Sequence, residues 1–130
     1  MSPVEATRRM YEHANCGDWD AVRQFMAEDF VIHEPETLPY GGEWRGTDAL
    51  QRLYAEVMGF WDDPQVDWVD LVGGDTHVVA LLRLTVTVPG TEKRVEHLVA
   101  EVTRFDPAGK MAEMRIHYFD TGALAGLLKG

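Results

Sequence analysis

The sequence predicts an α+β fold: a curved antiparallel sheet forming a cone, with three N-terminal helices over its concave face. Apolar residues recur at helical spacing as far as Gly59, and from Val66 onward the pattern changes to alternating segments divided by turn signals. Two of those segments run about a dozen residues, and strands of that length twist and curl, which leaves a concave face for helices to cover. With 130 residues, 45% of them hydrophobic, the chain has room for a single domain, residues 1–130, whose core needs no metal or disulfide to hold it.

Ser2, Pro3 and Glu5 stand as N-cap, N1 and N3 of a capping box that opens a helix to about Asn15. Gly17 breaks it, and Asp18 caps a second helix with Trp19, Val22, Phe25 and Met26 on one face. Phe30 to Glu34 reads as a short strand, followed by a Pro- and Gly-rich loop, Pro35 to Gly46. Tyr40 lies in that loop, so Tyr40→Ala is expected to cost little stability. Thr47 caps a third helix with Leu50, Leu53, Tyr54, Val57 and Met58 on its apolar stripe and Gly59 as its stop. The meander follows as Val66 to Val72, Thr76 to Val88, Arg94 to Phe105 and Met111 to Phe119, and Thr121 to Leu128 reads as a closing helix. Val78 to Leu84 is apolar on both faces except for Arg83, so the convex face is expected to be covered, most simply by a second subunit in a homodimer.

The formal charge of −10, from 12 Lys+Arg against 22 Asp+Glu, repels phosphate backbones and anionic membranes, so neither nucleic acid nor a membrane is an expected partner. Cys16 is the only cysteine and has no internal partner, and the N-terminus lacks the basic-then-apolar pattern of a secretory signal. A cytoplasmic setting is the expectation. No apolar run approaches the roughly 20 residues that span a bilayer.

Four segments carry a family resemblance: Asn15-Cys-Gly-Asp-Trp-Asp-Ala-Val22, Phe30-Val-Ile-His-Glu-Pro35, Trp44-Arg-Gly46, and Glu101-Val-Thr-Arg-Phe105 followed by Gly109-Lys-Met-Ala-Glu-Met-Arg115. In this order the chain resembles the nuclear-transport-factor-like superfamily, in its branch of ketosteroid isomerases and SnoaL-like polyketide cyclases, over nearly its whole length. The resemblance implies a cystatin-like α+β barrel. It also implies that Glu34 corresponds to the isomerases' carboxylate base, and that Glu101 falls where they keep a protonated aspartic acid as an oxyanion donor. Their second oxyanion donor is a first-helix tyrosine. Counting back from Gly17 places Met10 there, with Tyr11 about 100° around the helix.

Alternation sets His97, Val99, Glu101 and Thr103 on one face of their strand, and Met114, Ile116 and Tyr118 on one face of the next. In the isomerases the equivalent faces line the cavity. The expected site is therefore an apolar pocket with Glu34 and Glu101 as catalytic groups and Met10, Tyr11, Trp44, Tyr54, Trp61, His97, Met114, Ile116 and Tyr118 as substrate contacts. An unpaired carboxylate in such a place shifts its pKa upward, toward what acid/base catalysis at neutral pH needs. Plainer readings stand beside these: Glu101 as a cross-strand partner of Arg83 or Arg115, Glu34 as a solvated rim residue, the aromatics as core, and Asp120 as a helix cap. His33 and His117 fall on the opposite face, and no metal-ligand spacing or nucleophile elbow appears.

The leading expectation is a cofactor-free enzyme that moves a proton beside a carbonyl in an apolar, oxygenated small molecule, by isomerisation, cyclisation or dehydration. Met114-Arg-Ile-His-Tyr-Phe-Asp120 is similar to the closing strand of limonene-epoxide hydrolase and makes epoxide opening an alternative. A non-catalytic ligand-binding or dimerisation module is the other.

Overall fold

The computed structural model describes residues 1–127. Its elements are α1 (Pro3–Asn15), α2 (Trp19–Arg23), β1 (Met26–Glu34), β2 (Gly42–Arg45), α3 (Ala49–Phe60), β3 (Asp62–Gly73), β4 (His77–Thr87), β5 (Arg94–Phe105), β6 (Met111–Tyr118) and α4 (Thr121–Gly126). The expected end of the closing helix, Leu128, lies outside the described residues.

The six strands form one sheet in the order β2-β1-β6-β5-β4-β3. From β3 to β6 it is the expected antiparallel meander, and β1 then adds in parallel to β6. The sheet is curved and does not close. Helix α3 touches β1 and β2 at one end of the sheet and β3 at the other, which it can do only because the sheet curls around it. Helix α1 lies on β3 and β4, and α2 packs on α1. Inward and outward residues alternate strictly on β4, where Val78, Ala80, Leu82, Leu84 and Val86 are buried and Val79, Leu81, Arg83 and Thr85 are half-exposed.

Local chemistry sets the helix starts. The Ser2 hydroxyl accepts from the Glu5 amide at 3.1 Å, and Pro3 occupies the first turn, where no amide donor is needed. Asp18 caps α2 by accepting from the Ala21 amide at 3.2 Å.

Four boundaries differ from expectation. Helix α2 ends at Arg23, because Phe25 and Met26 serve the sheet: the Phe25 carbonyl accepts from the Met111 amide at 2.9 Å, and Met26 begins β1 opposite Met111. The cap of α3 is Asp48 instead of Thr47, and the helix continues through Gly59 to Phe60. Strand β3 starts at Asp62, where Arg94 donates to the Asp63 carbonyl and carboxylate and holds a register shift at Asp63, whose φ is 45°. Strand β2 lies inside the segment expected to be loop and pairs Trp44 with Ile32.

The connection from β1 to β2 folds back on itself. A side chain at Gly41 would meet the Pro35 carbonyl at 2.2 Å, so the close approach admits only glycine. This fold buries Leu38 and leaves Tyr40 only 2% exposed, with its hydroxyl accepting from the Trp61 indole at 3.1 Å. The expectation that Tyr40 is dispensable is overturned: its ring is core, and an indole donor depends on its oxygen. Leu53→Ala and Leu82→Ala should each cost about 2 to 5 kcal/mol, and Tyr40→Ala should now cost about as much. Denaturant melts of the three variants check this, with a near-neutral Tyr40→Ala as the result that contradicts the packing described.

Candidate functional site

Under α3 the curled sheet encloses a cavity of about 230 Å³ that opens to solvent. The apolar stripe of α3, Leu50, Leu53, Tyr54, Val57 and Met58, forms its roof, and Leu82, Leu84, Val99 and Ile116 form its floor. Among the described residues no lysine, arginine or histidine lines it. Its acidic groups are Glu34 and Glu101, accompanied by Tyr118 and Tyr11.

Glu101 faces inward because strand parity pairs it with Ala80 on one side and Ile116 on the other. Arg83 and Arg115 have the opposite parity and bind other carboxylates, Glu96 at 3.5 Å and Glu113 at 2.8 Å. The cross-strand ion pair considered for Glu101 is therefore not made. Its partner is Tyr11, whose hydroxyl donates to Glu101 Oε1 at 2.5 Å. Burial pushes the Glu101 carboxyl up from the usual carboxylate range, and the Tyr11 hydrogen bond only partly opposes this. Burial also drives the Tyr11 hydroxyl well above its ordinary value, so the shared proton stays on the tyrosine.

Glu34, at the end of β1, is 5% exposed and so is not a rim residue. Its Oε2 accepts from the Tyr118 hydroxyl at 3.3 Å, and its Oε1 is buried with no hydrogen-bond partner among the described residues. Burial, followed by the nearby charge of Glu101, pushes the Glu34 carboxyl up to about 8 against the pull of the Tyr118 hydrogen bond. Glu34 thus feels the charge of Glu101 across one apolar space.

The remaining expected contacts divide. Tyr11, Tyr54, Ile116 and Tyr118 line the cavity; Met10, Trp44, Trp61, His97 and Met114 do not. Met10 and Met114 are fully buried in the core, and it is Tyr11, one residue along α1, that meets Glu101. Trp44 donates to the Tyr40 carbonyl at 3.0 Å, and Trp61 to the Tyr40 hydroxyl, so both indoles are committed to the β1–β2 connection. His97 stands apart near Asp120; its Nε2 is buried without a partner, and burial lowers its pKa while Asp120 raises it. Asp120 itself caps α4 by accepting from the Ala123 amide at 2.9 Å.

Sequence reasoning missed part of the mouth. Trp68 of β3 meets the Tyr11 ring edge-on at 4.7 Å and is 43% exposed, and Trp19 packs on Tyr54 at 5.5 Å. The alternation Val66-x-Trp68 was a signal for the first, since both residues line the cavity. Trp19 reached it through the cap that starts α2.

Residues 7–114 match the family described as SnoaL-like domain. No curated protein matches. Among solved structures, an NTF2-like protein from Burkholderia thailandensis is 24% identical, with a TM-score of 0.84 over 100% of this chain and 99% of that one. TerC, co-crystallised with polyporic acid, is 20% identical, with a TM-score of 0.78 over 99% of this chain and 100% of its own. Rv0760c from Mycobacterium tuberculosis, in complex with estradiol-17beta-hemisuccinate, is 19% identical, with a TM-score of 0.63 over 90% of this chain and 94% of its own.

The burial of Glu34 has a pH signature. Unfolded, its carboxyl ionises near the ordinary 4.5, whereas folded it keeps its proton to about 8. Between those values the folded state binds the extra proton, so stability falls as pH rises through the window and levels off above it. Glu34→Gln removes that dependence. Thermal melts should show the variant gaining on the parent from pH 5 to pH 8, and a constant gap would contradict the burial of an unpaired carboxyl.

Proposed function

The chain belongs to the SnoaL-like domain family, and from that premise we propose that it is a cofactor-free enzyme performing carboxylate acid/base chemistry on an apolar, oxygenated small molecule. The observation that carries this reading is two inward carboxyls in one apolar cavity, each with a tyrosine hydroxyl as its partner and neither with a cation among the described residues.

Glu34 is the base. Its unpartnered Oε1 faces no competing donor, and once ionised it takes a proton from a carbon beside a substrate carbonyl. Charge then develops on the carbonyl oxygen, where Glu101 stabilises it by donating the proton that the pair retains while Glu34 is ionised, and the Tyr11 hydroxyl, committed to Oε1 of Glu101, holds that carboxyl in place. The proton held by Glu34 returns to another carbon in isomerisation, or passes to the alkoxide oxygen formed when the enolate attacks a second carbonyl in cyclisation. In dehydration the enolate expels a hydroxyl that leaves as water with the proton Glu34 took. Bound small molecules in TerC and Rv0760c, proteins of this fold, support a pocket that takes organic ligands. Epoxide opening has less support, since it needs an arginine beside the acid and base and no arginine lines the cavity among the described residues.

The same reading makes the outer face of the sheet a homodimer surface. Val79, Leu81 and Val102 are half-exposed there, and Leu98 is 47% exposed. An interface of roughly 800 Å² per subunit is ordinary for such a pair. Sedimentation at tens of micromolar tests it, and a strictly monomeric species contradicts it.

Turnover tests the chemistry. Glu34→Gln keeps shape and loses basicity, so kcat should fall by roughly 10² to 10⁴ with binding little changed. Glu101→Gln retains a donor and should be milder than Glu101→Ala. In the parent, kcat/KM should rise with pH through about 8 as Glu34 loses its proton. Ligand binding without turnover in the parent would favour the binding-module alternative.

A further inference from the structure

The proposed base is held by Tyr118, which is backed in turn by two residues that never reach the cavity. Glu34 Oε2 accepts from the Tyr118 hydroxyl, the Tyr118 hydroxyl lies 3.4 Å from that of Tyr40, and the Tyr40 oxygen accepts from the Trp61 indole. Neither Tyr40 nor Trp61 lines the cavity, and Trp61 is 3% exposed.

The sense of this run is fixed by one member. An indole N–H donates and cannot accept, whereas a phenol does either. With its oxygen receiving the indole proton, the Tyr40 hydroxyl has its own hydrogen to place, and among the described residues the only other hydrogen-bonding group at that oxygen is the Tyr118 hydroxyl. Tyr40 therefore donates to Tyr118, and the Tyr118 hydrogen turns to Glu34. The reverse sense would leave two faults: a buried Tyr40 hydrogen without an acceptor and, in the ionised form that acts as base, a Glu34 carboxylate without any donor. Each is the kind of unmet group that costs about 1 to 3 kcal/mol.

We propose that Tyr40 and Trp61 are positioning residues for Glu34: the indole sets a one-way run of donors ending on Oε2, which leaves Oε1 as the oxygen that takes and returns the substrate's proton. Each donation polarises the next hydroxyl, so the run makes Tyr118 a better donor than a lone phenol. Because the indole cannot accept, the run holds the carboxyl without carrying its proton away. A proton taken by Glu34 leaves through the cavity, back to the substrate or to solvent at the mouth. The inference rests on Glu34 being the base.

The titratable groups facing Glu34 are Tyr118 from β6, Tyr40 from the β1–β2 connection and Glu101 from β5, with Tyr11 and Tyr54 elsewhere in the cavity wall. The test uses the full chain labelled with carboxyl-¹³C glutamate, with the Glu34 signal assigned by its loss in Glu34→Gln and titrated by NMR. Tyr118→Phe should raise the Glu34 midpoint by removing its donor, and Tyr40→Phe and Trp61→Phe should raise it by smaller amounts. Once a substrate is in hand, the rising limb of kcat/KM should move by the same intervals. Unchanged midpoints in both Tyr40→Phe and Trp61→Phe would overturn the proposal. Should a variant fail to fold, the parent decides: the run requires the Trp61 indole proton to be protected from solvent exchange, and a freely exchanging one overturns it. The two readings fail separately. Full turnover in Glu34→Gln removes the base assignment, whereas an inactive Glu34→Gln with unmoved midpoints in the other variants removes only the positioning run.

Discussion

A carboxyl taken out of water must find a cation, find donors or keep its proton, and the described residues offer no cation to Glu34 or Glu101. Strand parity turns Arg83 and Arg115 outward, where they meet Glu96 and Glu113, and leaves tyrosine hydroxyls as the inward partners. A hydroxyl hydrogen bond offsets only part of the desolvation, so both carboxyls stay protonated further up the pH scale than they would in water. The curl of the sheet, the apolar roof of α3 and the placing of the aromatic residues all maintain that condition. Acid/base capacity near neutral pH is its direct result.

Such a site is held at the expense of stability. An apolar pair of similar shape at positions 34 and 101 would fold more easily, since a buried polar group contributes less than well-packed hydrocarbon. The core around it supplies the margin: β4 alone buries five consecutive inward residues, and the β1–β2 connection folds Leu38 and Tyr40 beneath itself. Packing and chemistry meet in Tyr40, whose ring fills the core while its hydroxyl stands one bond from Tyr118.

Much of this was legible in the chain. The capping box at Ser2, the α3 stripe and the long alternating strands are local signals, and each specified its element. Parity put Glu101 on one face with Val99 and Thr103, and the family resemblance named that face and Glu34 as parts of the cavity. What stayed hidden was long-range. Tyr11 and Glu101 are 90 positions apart, and only tertiary packing decides whether Met10 or Tyr11 meets the sheet. Strand β2 has four residues, too few to show a period. Burial of Tyr40 depends on a turn that Gly41 alone permits, and a loop composition gives no sign of it. The apolar spacing of Phe25 and Met26 fitted a helix as well as a strand, and pairing with β6 settled it.

The sheet is curved but not closed, so it ends in two strands with one unpaired side each, β2 and β3. A bare strand edge is a template on which other chains can stack into aggregates. Strand β2 gives little purchase, being four residues long. Strand β3 is three times that length and is protected differently: it carries Asp62, Asp63, Asp67 and Asp70, includes Pro64, and shifts register twice. An incoming strand would meet like charges, a missing donor and a broken ladder. The four aspartates of β3 thus guard the sheet's longest open edge, and resistance to aggregation is a reason for their place in the sequence.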